Sequence, residues 1–269
     1  MEFTYRNLRV EAEAGVATLT LDRSERLNIL GREVLLELDA ALRHLAEDEA
    51  CRSLVFRSSS EKGFSAGADI REMQALTALE ARAYAALGHS VANRLERELP
   101  PVVMAANGFV MGGGLEFACA CDFRIASEDA VFAHPEIDIG IFPGWGGSQR
   151  LARIIGLPRA RELILTGRRV SAQEALGLGL VHAVVPREEL HRRARALATE
   201  LASKSRAALL AAKHAVNNVS EMPLAAGLED EQQRWALLFG GEDPREGMTA
   251  FLERREPRFR TPEPPERSD

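Results

Sequence analysis

The sequence predicts an α/β chain in which strand–strand–helix units coil over roughly the first 200 residues and a helical part closes the C-terminus. Three observations point to it. Short β-branched runs alternate with helical periodicity, in a strand–strand–helix rhythm that occurs twice before residue 127. From Pro186 onward the pattern is almost purely helical, and no Pro-, Gly- or Ser-rich linker is long enough to separate independent domains. We therefore divide the chain into a core over 1–200 and a C-terminal helical region over 201–269.

Each element follows from local pattern. Residues 3–10 and 15–22 alternate or are β-branched, and Glu13-Ala14-Gly15 supplies a turn, which predicts a hairpin. Val34, Leu38, Ala41, Leu42 and Leu45 recur at helical spacing, and Ser53-Leu54-Val55-Phe56 reads as a short buried strand. Residues 58–69 form a turn-rich loop. Asp69 with Glu72 three residues on resembles a capping box, and a longer helix runs from Ala78 to Glu98 until Pro100-Pro101 stops it. Residues 102–106 are a buried strand, Gly112-Gly113-Gly114 opens a short apolar helix, and the chain returns as a strand over Asp122 to Ala126. Helices are expected over 187–203, 205–219, 224–239 and 245–254, with a frayed tail from Thr261 to Asp269 rich in proline and charge.

Composition narrows the class. Hydrophobic residues at 46% and charged residues at 28% exclude a disordered, collagenous or coiled-coil chain. A formal charge of −6 disfavours nucleic acid or an anionic membrane as the main partner. No apolar run approaches the roughly 20 residues of a membrane-spanning helix, and Met1-Glu2-Phe3-Thr4-Tyr5 has neither a basic nor an apolar leader, so a cytoplasmic location is expected. Cys51, Cys119 and Cys121 read as plain buried thiols. No HExxH, Walker A or Cys/His cluster occurs, and Gly177-x-Gly179 lacks the third glycine of a dinucleotide loop, so no metal or nucleotide cofactor is expected. Of the histidines only His134, two residues before Glu136, stands near candidate chemistry.

That chemistry lies at two loop-to-helix junctions, Ser65-Ala66-Gly67-Ala68-Asp69 and Met111-Gly112-Gly113-Gly114. A helix start carries unpaired N–H groups and the positive end of the dipole, so two facing starts would bind a developing oxyanion. Either alone is equally an ordinary turn. Glu116, in the first turn of the apolar helix, and Glu136, in His134-Pro135-Glu136-Ile137, are carboxylates among apolar neighbours. Burial raises a carboxyl toward the range useful for acid–base work, and two of them could share one water. Taken singly, Glu116 is also a helix-start acid and Glu136 a surface loop acid.

Four strings resemble the enoyl-CoA hydratase/isomerase (crotonase) superfamily: GFSAGADIREM at 63–73, GFVMGGGLEFACACDFRIAS at 108–127, HPEIDIGIFPGWGGSQRL at 134–151 and EGMTAFLERREPRF at 246–259. The resemblance covers nearly the whole chain and implies the crotonase-like spiral with a C-terminal trimerisation region. It implies an oxyanion hole from the N–H groups of Ala68 and Gly113 and an acid–base pair of Glu116 and Glu136. It also implies coenzyme A contacts at Ala66, Asp69, Ile70 and Arg71, and an active-site glycine at Gly144. The expected reaction is reversible syn addition of water to a trans-2-enoyl-CoA, with no cofactor beyond the coenzyme A of the substrate. Two positions depart from the family pattern. Trp145 stands where a small residue is common and is expected to shorten the acyl pocket, and Leu27-Asn28-Ile29-Leu30 replaces the usual Pro-Asn-Ala-Leu.

Other readings remain beside it. Within the family, an isomerase or a specialised branched or cyclic enoyl-CoA hydratase is the alternative. Outside it, Gly63-Phe64-Ser65-Ala66-Gly67 fits the nucleophile elbow of a serine hydrolase, with His182 and Asp122 or Asp138 to complete a triad. The strand ends too early for an elbow, so Ser65→Ala is expected to be nearly silent. Basic pairs such as Arg168-Arg169, Arg192-Arg193 and Arg254-Arg255 leave RNA binding as a remote third reading. Finally, Leu224, Leu228, Trp235, Leu238, Phe239 and Phe251 supply more apolar surface than a helical appendage can bury, which predicts a homotrimer or a dimer of trimers. The resemblance implies that Trp235 and Arg254 reach a coenzyme A site.

Overall fold

The computed structural model describes residues 5–259. Strands β1 (Leu8–Glu13) and β2 (Val16–Leu21) form the antiparallel hairpin, turning at Ala14 and Gly15. Then come α1 (Arg32–Glu47), β3 (Ser53–Ser58), β4 (Gly63–Ser65), the single turn α2 (Ile70–Met73) and α3 (Ala78–Asn93), which continues as a wider turn to Glu98. The next coil of the chain is β5 (Val102–Ala106), β6 (Phe109–Met111) and α4 (Gly113–Ala120). It is followed by β7 (Phe123–Ser127), β8 (Val131–Ala133) and a 3₁₀ turn over Pro135–Ile139. Helices α5 (Gly147–Ile155) and α6 (Leu157–Thr166), strand β9 (Val170–Ser171), α7 (Ala172–Gly177) and β10 (Ala183–Val185) complete this part. The C-terminal helices are α8 (Leu190–Ala202), α9 (Arg206–Asn217), α10 (Leu224–Leu238) and α11 (Asp243–Glu253).

The spiral has a simple rule. The coils β3/β4, β5/β6 and β7/β8 each give their first strand to a six-stranded sheet ordered β1-β2-β3-β5-β7-β10 and their second to a four-stranded sheet ordered β4-β6-β8-β9. The β1–β2 hairpin lies wholly in the large sheet, and β9 and β10 come in the reverse order. Pairing is parallel except at β1–β2 and β8–β9. The three-residue strands β4, β6 and β8 are too short to show a period of two, which is why 58–69 reads from sequence as loop throughout.

In the large sheet, alternation assigns the two faces. Leu54, Phe56, Val102, Met104 and Ala106 face the main core, where α1 and α3 pack. Val16, Val55, Val103, Ala105 and Ile125 face the other way, under Leu190, Ala194 and Ala198 of α8. Small residues four apart let α8 lie close, and Ser53 Oγ donates to Ala198 O at 2.8 Å.

The pairing of Asp69 with Glu72 is corrected. Asp69 does cap its helix, accepting from Arg71 N at 2.9 Å, but Glu72 instead accepts from Arg32 N at 2.8 Å and so caps α1 across the fold. The reciprocal box belongs to Thr77 and Glu80 at the start of α3. At the C-terminus Leu237 is 78% exposed and Leu238 is half-buried. Leu238, Trp235 and Phe239 line an apolar cleft of about 730 Å³. No helix among the described residues is long and apolar enough to cross a membrane. The tail from Thr261 lies outside the described residues.

Candidate active site

The first junction is built on β4 and tied to the Leu27–Leu30 segment. Ser65 Oγ donates to Asn28 O at 2.8 Å and accepts from Gly67 N at 3.0 Å, Ala66 N donates to Leu27 O at 2.9 Å, and Leu30 N donates to Gly67 O at 2.8 Å. Tyr84 on α3 holds the same segment, its hydroxyl donating to Leu30 O at 2.8 Å. Gly67 has φ +94°, and a Cβ there would lie 3.0 Å from Met111 O and 3.4 Å from Gly113 N, so the two junctions meet backbone to backbone. Gly113 opens α4, where its N–H has no acceptor inside the helix. Gly67, which directly precedes Ala68, therefore packs against Gly113, so the two junctions meet.

Ser65 is fully buried on a strand, committed to two hydrogen bonds. His182 accepts from Arg124 N at 3.1 Å and Asp122 pairs with Lys213 at 2.7 Å, so of the nominal hydrolase triad Ser65, His182 and Asp122 are engaged in structural contacts. For Ser65→Ala these bonds add a stability cost beside the nearly silent turnover expected. Losing the hydroxyl removes the partner of Gly67 N and of Asn28 O, so the variant should lose about 2 kcal/mol of stability while the folded protein keeps its turnover. Thermal unfolding of the variant checks this, and an unchanged Tm would show the hydroxyl to be dispensable.

Glu116 is 3% exposed on the inner side of α4. The N–H groups of Trp145 and Gly147 donate to its Oε1 at 2.7 and 2.8 Å. Burial pushes its carboxyl up to about 7, against the opposing pull of His134 and of those two N–H donors. Glu136 sits in the 3₁₀ turn after β8, its Oε1 3.4 Å from His134 Nδ1 and its Oε2 buried with no hydrogen-bond partner among the described residues. It is close enough to Glu116 to disfavour a second negative charge there. A Cβ at Gly112 would meet Glu136 Oε1 at 3.3 Å, and one at Gly147 would meet Glu116 Cγ and His134 Cε1 at 2.8 Å each. Both glutamates thus converge beside Gly113, one positioned by α4 and the other by the turn after β8.

Trp145 is 4% exposed, stacked on Phe117 at 5.5 Å between centroids and edge-on to Tyr84 at 5.5 Å. A Cβ added at Gly88 on α3 or at Gly113 on α4 would overlap the indole, so the ring fills the space between the two helices directly behind Gly113. Arg150 latches this turn in place: it donates to Glu96 and to Asn93, each at 2.8 Å, and to Trp145 O at 3.2 Å. Gly144 is exposed, with Phe142 O at 3.8 Å from where its Cβ would be, and Ala66, Ile70 and Arg71 are exposed with Asp69 half-buried. Tyr84 and Arg150 escape sequence reading, because what they do is set by partners more than 50 residues away, as Tyr84 and Leu30 are at a separation of 54.

Residues 11–262 match the family described as enoyl-CoA hydratase/isomerase. Crotonyl-CoA hydratase of Syntrophomonas wolfei is 40% identical over 255 residues, 95% of this chain and 98% of the relative. Short-chain-enoyl-CoA hydratase of Clostridium acetobutylicum is 39% identical over 93% of this chain and 95% of its own length. The crystal structure of enoyl-CoA hydratase from Bacillus anthracis superposes with a TM-score of 0.91 at 37% identity, covering 96% of this chain and all of that one. With a spiral of this kind, two facing junctions and sequence identity spread over almost its whole length, the chain belongs to the enoyl-CoA hydratase/isomerase family.

Proposed function

We propose that the protein is an enoyl-CoA hydratase that adds water reversibly to short-chain trans-2-enoyl-CoA thioesters. The observation that carries this reading is the convergence of Glu116 and the unpartnered Oε2 of Glu136 beside the Gly113 junction. The thioester oxygen accepts from the N–H groups of Ala68 and Gly113, which stabilise the enolate-like transition state by about 3 kcal/mol each. Water held between the two carboxyl groups loses a proton to Glu116 as its oxygen bonds to Cβ, and Glu136 delivers a proton to Cα. Passing one proton from Glu116 back to Glu136 restores the site. Nothing in this cycle calls for a cofactor beyond the coenzyme A of the substrate, whose contacts fall to Ala66, Asp69, Ile70, Arg71 and Gly144.

Two further features refine the substrate and the assembly. Trp145 occupies the space behind the thioester site, which supports a short acyl chain and agrees with the short-chain substrates in the names of the two relatives. On α10 and α11, Leu224 and Phe251 are 79% and 82% exposed, which supports burial against other subunits in a trimer or dimer of trimers. Trp235 and Arg254 would reach a coenzyme A site in that assembly. Loss of the conjugated enoyl-thioester absorbance tests the activity, with crotonyl-CoA expected to be turned over and ten-carbon enoyl-CoA poorly. No loss with any straight, branched or cyclic enoyl-CoA would overturn the reading. Light scattering should give a mass three or six times 29.5 kDa, and a mass near 29.5 kDa would refute the assembly.

A further inference from the structure

His134 takes no part in the cycle just described, yet it is fully buried beside both glutamates. Its Nδ1 lies 3.4 Å from Glu136 Oε1, and its Nε2 has no hydrogen-bond partner among the described residues. Its Cε1 and the Cγ of Glu116 stand at the same distance, 2.8 Å, from the point where a Gly147 Cβ would be, so one imidazole touches the surroundings of both carboxyl groups. The titratable groups that face it are Glu116 and Cys119 from α4 and Glu136 from its own segment, while α5 approaches with the backbone of Gly147. An apolar or amide side chain would fill this space equally well. What an imidazole adds between two carboxyl groups is a positive charge.

We infer that His134 is a positioning residue for the hydration: a buried imidazolium that holds Glu136 through Oε1, leaves Oε2 facing the reacting atoms, and places a counter-charge beside Glu116, the base of the cycle. The inference rests on the hydratase reading. Burial alone would depress the ring, but its contacts with Cys119 and with the Glu136 carboxyl outweigh that and raise it to about 9. In turn the ring is the strongest influence opposing the burial that raises Glu116. Glu116 is the base of the cycle and must be ionised to take the proton from water, and a neighbouring cation favours that form. Removing the cation raises the Glu116 carboxyl further.

The test is His134→Gln, which preserves an N–H donor for Glu136 and removes the charge. The acid limb of the kcat/KM profile should move to higher pH by about one unit, a roughly tenfold loss of rate on the acid side, because losing a nearby positive charge favours the protonated Glu116 carboxyl. KM for crotonyl-CoA should change less than about threefold, since the thioester is held by the two N–H donors. A merely structural histidine would lower the rate evenly across pH, and an unmoved profile overturns the inference. Histidine-labelled protein gives a second readout that needs no turnover. His89, His182, His191 and His214 are all depressed, so the ¹⁵N spectrum at about pH 8 should retain an imidazolium signal, assigned to His134 by its loss in His134→Gln. Its absence overturns the inference. Wild-type protein that hydrates no enoyl-CoA would sink the hydratase reading instead, and the spectrum then decides the charge of His134 by itself.

Discussion

Glu116→Gln and Glu136→Gln are each expected to lower kcat for the best enoyl-CoA by at least about 100-fold, the usual cost of losing a general acid or base. Fold and thioester binding should survive, for a structural reason specific to each position. The Gln amide oxygen at 116 can still accept from Trp145 N and Gly147 N, which meet Glu116 Oε1 at 2.7 and 2.8 Å, and the Gln at 136 can still present an oxygen toward His134 Nδ1. What the amides cannot do is exchange a proton with water at the buried second position. Steady-state kinetics with circular dichroism separates the outcomes. A variant that folds and keeps more than half of wild-type kcat would remove that glutamate from the chemistry.

Trp145→Ala is expected to have two large effects at once. Removing a ring that is 4% exposed and packed on Phe117 and Tyr84 should cost about 3–5 kcal/mol of stability. The same vacancy lies behind Gly113, so the ratio of kcat/KM for ten-carbon over four-carbon substrates should rise by at least about tenfold. Trp145→Phe leaves a smaller hole and should give an intermediate ratio at higher stability, which keeps the test usable where the alanine variant unfolds. An unchanged ratio in a folded variant would take Trp145 out of the acyl pocket.

Several features were legible from local pattern because local physics produces them. The helical spacing of Val34, Leu38, Ala41, Leu42 and Leu45 buries those residues on one side of α1, and the unbroken apolar run over 102–106 is the two-faced burial of β5. The small residues at 65–69 and 111–114 mark places where backbone must approach backbone, and Gly67 and Gly113 do so. Charge in apolar surroundings marked Glu116 and Glu136. The short strands β4, β6 and β8 were not legible, because three residues hold no period and their pairing comes from neighbouring coils of the spiral.

The sequence by itself determined which residue types stand at the two junctions, which two carboxylates accompany them and the order of helices and long strands, since propensity, periodicity and helix-start chemistry act within a few residues. Only the tertiary structure decided that Ser65 is a buried tie and not a nucleophile, that Glu72 caps α1 at Arg32 and not its own helix, that Trp145 fills the gap between α3 and α4, and that His134 lies against both glutamates. Each of these depends on a partner brought close by packing, and burial and electrostatics act through space, where separation along the chain carries no weight.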